Sequence, residues 1–150
     1  MNYRMAAVSD CEELTRLRMQ MRQERDAGFR EQELRTATLD FFRRNIAGGQ
    51  HVAFICETET QIIATVGLTL FEMPPTTKLP NGRVAKLMNM YVVPAYRRQG
   101  IGKELLSRAA AYARGHGYRK IMLNSSPMGE ELYRRFGFQL IPNEYEVYLD

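Results

Sequence analysis

The chain contains no tryptophan and only two cysteines among its 150 residues. Cys11 and Cys56 are too few for a disulfide scaffold and lack the spacing of a metal site. They predict two free thiols in a reducing environment and no bound metal. The N-terminal stretch has no apolar segment typical of a secretion signal, and no apolar run is long enough to cross a bilayer. We therefore expect a cytoplasmic protein with one domain, residues 1–150, and no membrane partner.

Lysine is also scarce, because only four of the 21 basic residues are lysines and the rest are arginines. Arginine recognises phosphate through a planar, forked guanidinium. A net charge of +4 fits nucleic acid, a phosphorylated cofactor or no charged ligand at all. Because the sequence has no long basic run with interleaved aromatic residues, nucleic acid is the weakest of these interpretations and we expect no nucleic-acid partner.

The spacing of apolar residues predicts a mixed α/β sheet. The order is a strand, two helices, three strands, a helix, a strand, a short helix and one or two closing strands. The segment Glu24–Thr36 is interpreted as a linker and the approach to the second helix, and the alternation of Tyr145, Val147 and Leu149 predicts the last strand. The predicted strands are Tyr3–Val8, His51–Glu57, Gln61–Phe71, Val84–Val93 and the run after Gly117; the predicted helices run from Ser9 toward Gly28, Leu39–Ile46, Gly100–Arg114 and Gly129–Phe136.

The stretch "VVPAYRRQGIGKELL", residues 92–106, joins a predicted strand to a predicted helix through arginines and two glycines. The first turn of a helix leaves backbone N–H groups unpaired, and the helix dipole adds positive charge there. A diphosphate accepts several such hydrogen bonds at once. Gly100 and Gly102 lack a Cβ, which lets a phosphate approach the backbone. The alternative is a tight turn with solvated arginines; the spacing fits neither a P-loop nor a dinucleotide fingerprint.

The motif "RRQGIG" resembles the acyl-CoA signature [Q/R]-x-x-G-x-[G/A] of the GNAT superfamily of N-acetyltransferases. The strand and helix on either side of it, and the later "SSPMGEELYRRFGF", are similar to that superfamily over residues 84–138. The resemblance implies an α/β (α+β) fold with a mostly antiparallel sheet of six to seven strands, splayed central strands and about four flanking helices. It also implies acetyl-CoA as cosubstrate.

Site residues follow from the same resemblance, position by position. It implies that the pyrophosphate binds the loop and that the pantetheine arm pairs with the central strand and touches Asn124. Tyr133 matches a tyrosine that protonates the departing thiolate; the alternative is a buried tyrosine that packs its helix on the sheet. The implied cofactor-binding residues are Tyr91, Val92, Val93, Arg97, Arg98, Gln99, Gly100, Ile101, Gly102, Lys103 and Asn124.

A catalytic base is harder to assign, because the central stretch "KLMNMY", residues 86–91, has no carboxylate. Several members of the superfamily carry a Glu or Asp on this strand. Glu72, at the end of the preceding strand, is the best substitute, although it also fits a solvated loop carboxylate. His51 and His116 lie at predicted element edges and are interpreted as surface residues.

The resemblance implies an N-acetyltransferase that passes an acetyl group to a primary amine of a small molecule, through a tetrahedral intermediate. Glu24, Asp26, Glu31 and Glu33 either attract a cationic amine or form a solvated face. Two alternatives stay open: a protein N-terminal or lysine acetyltransferase, and an acyl-CoA-binding sensor without catalysis. The C-terminal edge leaves homodimerisation open.

Overall fold

The computed structural model describes residues 1–26 and 28–150. Its five strands form one sheet in the order β1-β2-β3-β4-β5. Neighbours are antiparallel from β1 to β4, whereas β5 runs parallel to β4. The elements are β1 Asn2–Met5, α1 Cys11–Arg25, α2 Glu31–Gly48, β2 His51–Glu57, β3 Ile62–Glu72, β4 Arg83–Val92, α3 Ile101–Gly115, β5 Lys120–Met122 and α4 Glu130–Phe136.

The sheet is covered on both faces, because side chains of β2 alternate between two buried clusters. Val52, Phe54 and Cys56 pack on the face that carries α3 and α4. Ala53 and Ile55 pack on the face covered by α1 and α2. This alternation follows from the two-residue period of a strand. The inward positions predicted for α3, namely Leu105, Leu106, Ala109, Ala110 and Ala113, are all buried.

Helix α2 is about twice as long as predicted, because it begins at Glu31 rather than near Leu39. Its first two turns are charged and lack apolar periodicity, but an ion pair one turn apart joins Glu31 to Arg35 at 2.7 Å. The helix ends as expected at Gly49, which has φ 80. Ala27, within the predicted linker, lies outside the described residues. None of the described helices combines the length and apolar character that a membrane span requires.

The sheet has five strands rather than the expected six to seven, because the described C-terminal segment, residues 139–150, forms no strand. Tyr145 and Leu149, on the alternating apolar face, are 93% and 88% exposed. Alternation alone does not make a strand, since a strand needs a paired backbone edge and a covered face. β5 has only three residues and offers a short edge for such pairing.

The parallel pairing of β4 and β5 covers only three residues, because β5 ends at Met122. It runs from Val84 with Lys120 to Lys86 with Met122. Further along, the register of β4 against β3 shifts between Thr65 and Gly67, and Asn89 adopts φ 57. Such a bulge bends a strand locally. The edge of β4 beyond Lys86 therefore has no strand beside it on the β5 side in the described part of the chain.

His51 is fully buried, so its interpretation as a surface residue is wrong. Its Nδ1 lies 3.0 Å from Thr69 Oγ1, and its ring packs against Phe41 and Phe42. A Cβ on Gly67 would lie 2.7 Å from the ring, so only glycine leaves room for it. Burial, reinforced by the Arg18 charge, lowers the pKa of His51 from 6.5 to about 4.

The buried imidazole predicts a specific acid sensitivity. Because the unfolded chain binds a proton near pH 6.5 and the folded chain only near pH 4, the free energy of unfolding falls as the pH drops through this window. The expected loss is about 3 kcal/mol. The variant His51→Gln should lack this loss when urea unfolding is measured from pH 7 to pH 4. The exposed His116 supplies the control: His116→Gln should keep the loss, and an unchanged pH profile in His51→Gln would contradict the account.

Candidate active site

The loop between β4 and α3 is shaped to present backbone donors. After the 3₁₀ turn Pro94–Tyr96, Arg98 and Gly100 adopt φ 63 and φ 81. A positive φ is costly for arginine and is typical of loops that clamp ligands. No side chain caps α3, and the first helical bond runs from Glu104 N–H to the Gly100 carbonyl at 3.1 Å. The N–H groups of Ile101, Gly102 and Lys103 precede that bond and so remain available at the positive end of the helix dipole.

The two loop glycines have different roles. A Cβ on Gly100 would point into open space, so what requires glycine there is its φ of 81. A Cβ on Gly102 would make ordinary contacts with Leu132, Met90 and Val92, the nearest at 3.6 Å. Neither glycine is required by close contact with other protein atoms, and their role in letting a phosphate approach stays a prediction. The structure also brings the start of α3, the end of β4 and α4 together.

Most of the predicted loop residues lie around the start of α3, but the Arg97 side chain is already hydrogen-bonded to other parts of the protein. Arg98, Gln99 and Lys103 are exposed around the start of α3. Ile101 is 2% exposed, so it offers only its backbone N–H. Arg97 Nη2 donates to Glu24 Oε2 at 2.8 Å, and its Nε donates to the Val92 carbonyl at 2.8 Å. Its side chain therefore ties the loop to α1 rather than pointing outward as a phosphate ligand.

The end of β4 offers one backbone donor to the gap beside it. In an antiparallel ladder, successive residues direct their backbone groups to opposite sides. Val93 N–H donates to Ile63 of β3 at 2.9 Å, and Tyr91 pairs with Thr65 of the same strand. Val92 therefore directs its N–H away from β3, toward the space that β5 does not fill. Of the three residues expected to pair with pantetheine, the geometry favours Val92.

Tyr133 and Asn124 line the same cleft of about 680 Å³, between the end of β5, α4 and the C-terminal segment. Tyr133 is 8% exposed, and its ring packs edge-on against Phe138 at 5.7 Å. Its hydroxyl has no hydrogen bond with the described residues. Burial raises the pKa of Tyr133, and the positive charge of Arg25 opposes that rise. The phenol therefore stays protonated at neutral pH and can donate a proton.

Glu72 lies far from this region. In the antiparallel register, Val92 pairs with Ala64, whereas Glu72 pairs with Arg83 at the other end of β4. Nine residues of strand separate the two positions, on the order of 30 Å. A general base must come within hydrogen-bonding reach of the proton it removes. The geometry therefore argues against Glu72 as the base.

A polar network beside Val92, which joins the buried Tyr91 to the more exposed Glu24 and Arg97, was not foreseen from the sequence. Tyr91 Oη donates to Glu24 Oε1 at 2.5 Å, and Arg97 donates to the other oxygen of the same carboxylate. Burial disfavours the charged form of Glu24, but these two donors outweigh it and lower its pKa. Burial and then the Glu24 contact raise the pKa of Tyr91. Glu24 lies 67 residues from Tyr91 along the chain, so no local pattern could have indicated the contact.

Comparisons with known proteins agree with this arrangement. Residues 17–138 match the family model described as Acetyltransferase (GNAT) family. A solved structure of a predicted acetyltransferase with acetyl-CoA from Clostridium acetobutylicum is similar with a TM-score of 0.88, at 31% identity over 98% of this chain and 95% of that chain.

Two curated relatives match over a shorter region. N-acetyltransferase 8B of Rattus norvegicus is 30% identical over 57% of this chain and 38% of its own length. Glucosamine 6-phosphate N-acetyltransferase 1 of Oryza sativa subsp. japonica is 29% identical over 61% of this chain and 54% of its own length. The match thus spans between two fifths and about half of these relatives.

The position of Tyr133 depends on a glycine. A Cβ on Gly129 would lie 2.9 Å from Tyr133 Cε2, although the helical backbone there, with φ −90, accepts any residue. Gly129→Ala should therefore displace the ring and lower the free energy of unfolding by about 1–3 kcal/mol. Chemical denaturation measures this change. Gly115→Ala, where a Cβ meets open space, is the matched control and should not destabilise; equal stability of both variants would contradict the packing argument.

Proposed function

The chain belongs to the GNAT acetyltransferase family, and we propose that it transfers the acetyl group of acetyl-CoA to a primary amine. The observation that carries the proposal is the juxtaposition of two sets of unpaired donors. The uncapped start of α3 lies next to the open edge of β4. A diphosphate fits the first, and an amide-containing arm fits the second. Acetyl-CoA carries both groups in one molecule.

In this proposal the pyrophosphate accepts hydrogen bonds from the backbone between Arg98 and Lys103. The exposed Arg98 and Lys103 side chains add charge around it. The pantetheine arm lies along β4 at Val92, and Asn124 approaches it from the end of β5. The 31% identical neighbour from Clostridium acetobutylicum, described with acetyl-CoA, supports acetyl-CoA as the cosubstrate.

The reaction begins with attack of a neutral amine on the thioester carbonyl carbon. The carbonyl oxygen becomes an oxyanion, and Val92 N–H, which faces the gap, is the proposed donor to it, so that the amides of the pantetheine arm bind further along the cleft, where Asn124 lies. The attached nitrogen loses a proton to water, the C–S bond breaks, and the thiolate takes a proton from the Tyr133 hydroxyl, which then regains a proton from water. The raised pKa of Tyr133 means that the hydroxyl carries a proton at neutral pH, and the Arg25 charge opposes that rise and so favours release of the proton.

The amine must lose a proton before it attacks. An alkyl amine with a pKa near 10.4 is mostly protonated at pH 7, and making it neutral costs about 4–5 kcal/mol. Glu24 is an ionised carboxylate held by two donors, with a lowered pKa, which makes it a weak base. We propose that Glu24 positions Tyr91 and Arg97 and that water carries the proton away.

The acid assignment predicts the behaviour of Tyr133→Phe. The variant should keep its affinity for acetyl-CoA, because the hydroxyl does not hold the cofactor. Its kcat should fall by about 10²- to 10⁴-fold, the usual contribution of a positioned acid. Calorimetry with acetyl-CoA and a turnover assay over a panel of amines provide the two readouts. Unchanged kcat in the variant would remove Tyr133 from the mechanism.

The cofactor assignment predicts a contrast between two substitutions of Gly100. Both Gly100→Glu and Gly100→Gln strain the same backbone, so the carboxylate is the difference between them. Gly100→Glu should bind acetyl-CoA more weakly than Gly100→Gln by about tenfold or more, because its charge repels the diphosphate. Titration calorimetry at low salt measures both. Equal affinities would contradict the pyrophosphate site.

Tight binding by the native chain without acetylation of any amine or peptide would favour an acyl-CoA sensor.

A further inference from the structure

Three arginines of α1 form one face of the helix, here called the arginine face, on the side of the proposed site. Arg18, Arg22 and Arg25 are four and three residues apart, a spacing that places them on one side of the helix. We propose that this arginine face binds an oxyanion group of the acceptor, so that the substrate is an amine carrying a carboxylate or a phosphate. The inference rests on the proposed function and specifies its acceptor.

Arg18 has unused donors in a partly buried position next to β4. Its side chain is half-buried, and its guanidinium donates to the Oδ1 atom of Asn89, at the bulge of β4. It has no ion-pair partner among the described residues. A half-buried cation held by a neutral amide keeps most of its donors unused, because guanidinium has five N–H groups. These donors lie on the α1 side of the strand that the acceptor must reach.

Arg25 extends the face toward the reacting atoms. It has no ion-pair partner in the part of the chain that the structure describes. Arg22 has only a distant one, 4.0 Å away at Asp26. The Arg25 charge acts on Tyr133, the proposed acid. The face thus runs from the bulge at Asn89 toward Tyr133, which is where an acceptor has to lie.

The three positive charges are close enough to oppose one another. Burial lowers the pKa of Arg18, and the charges of Arg22 and Arg25 lower it further. Cations that share a partly desolvated surface are stabilised when an anion binds between them. Arginine binds carboxylate and phosphate in the same forked geometry, so the chemistry identifies an oxyanion but not which of the two.

The acidic residues near the arginine face do not cancel its positive charge. Two of the four carboxylates that could attract a cationic amine are held closely by arginine, Glu24 by Arg97 at 2.8 Å and Glu31 by Arg35 at 2.7 Å. Glu33 and Asp26 have looser partners, Arg30 at 3.8 Å and Arg22 at 4.0 Å. Paired carboxylates attract a cation weakly. The structure therefore disfavours polycationic acceptors such as polyamines.

The test compares acceptors that differ only in the anionic group. The pairs are 2-aminoethyl phosphate with ethanolamine, and γ-aminobutyrate with its amide. The kcat/KM for acetylation should be at least about tenfold higher for the anionic member of one pair, the size of a charge-assisted hydrogen bond. The pair that shows the preference tells phosphate from carboxylate. Equal or higher kcat/KM for both neutral members overturns the inference and leaves the acetyltransferase proposal intact.

Variants identify the residues involved. Arg18→Gln and Arg25→Gln should lower the ratio of kcat/KM for the anionic acceptor to kcat/KM for the neutral one about tenfold. Because the Arg25 charge also acts on Tyr133, the ratio and not the activity on the neutral acceptor is the readout for Arg25→Gln. General damage to the fold would lower both values together and leave the ratio intact, which would count against the inference. Arg44→Gln is the matched control, because Arg44 is exposed on α2 and pairs with Asp40 at 2.7 Å; its ratio should stay as in the native chain.

Binding separates failure of the inference from failure of the proposed function. If no amine is acetylated, anion binding by the arginine face can still be measured. The measurement is equilibrium dialysis of 2-aminoethyl phosphate against the protein saturated with acetyl-CoA. Binding that disappears in Arg18→Gln supports the anion site even when the proposed function fails. Absence of binding in the native chain overturns the anion site.

Discussion

The proposed binding site depends on the short pairing between β4 and β5. Three residues of β4 pair with β5, and then β5 ends. The bulge that gives Asn89 its positive φ lies in the part of β4 that pairs with β3 but not with β5. In most sheets an internal strand satisfies its backbone on both sides, since a buried unpaired N–H costs about as much as a lost hydrogen bond. Here the sheet leaves that side of β4 open beside the start of a helix, and a ligand with amide groups can complete the ladder.

The open edge needs support from elsewhere in the fold. Glu24 supplies it, because its carboxylate accepts from Tyr91 on β4 and from Arg97 in the loop, while Arg97 also donates to the Val92 carbonyl. One acidic side chain thus ties α1, the strand and the loop together. Because the donors are partly buried, the contacts are screened less than surface ion pairs. The same hydrogen bonds engage both carboxylate oxygens of Glu24. They hold the site in place, and they leave Glu24 unable to act as a free carboxylate base.

Local patterns predicted the parts of the fold that depend on neighbouring residues. The buried positions of α3, the extent of β2 and the glycine end of α2 follow from periodicity and from a positive φ. The closing strands were wrong, because the alternation of Tyr145, Val147 and Leu149 says nothing about a backbone partner. The burial of His51 and the position of Glu24 were also missed. Both depend on residues far along the chain, such as Gly67 beneath the imidazole ring and Tyr91 beside the carboxylate.

Residue-resolved amide hydrogen exchange with and without acetyl-CoA tests the central claim most directly. Val93 N–H is already bonded to Ile63 and should exchange slowly in both states. The account predicts that acetyl-CoA slows exchange at Val92 and at the amides of Ile101, Gly102 and Lys103, and leaves Val93 unchanged. Protection confined to other parts of the chain, or none at Val92, would contradict the view that the open edge of β4 and the start of α3 form one binding site.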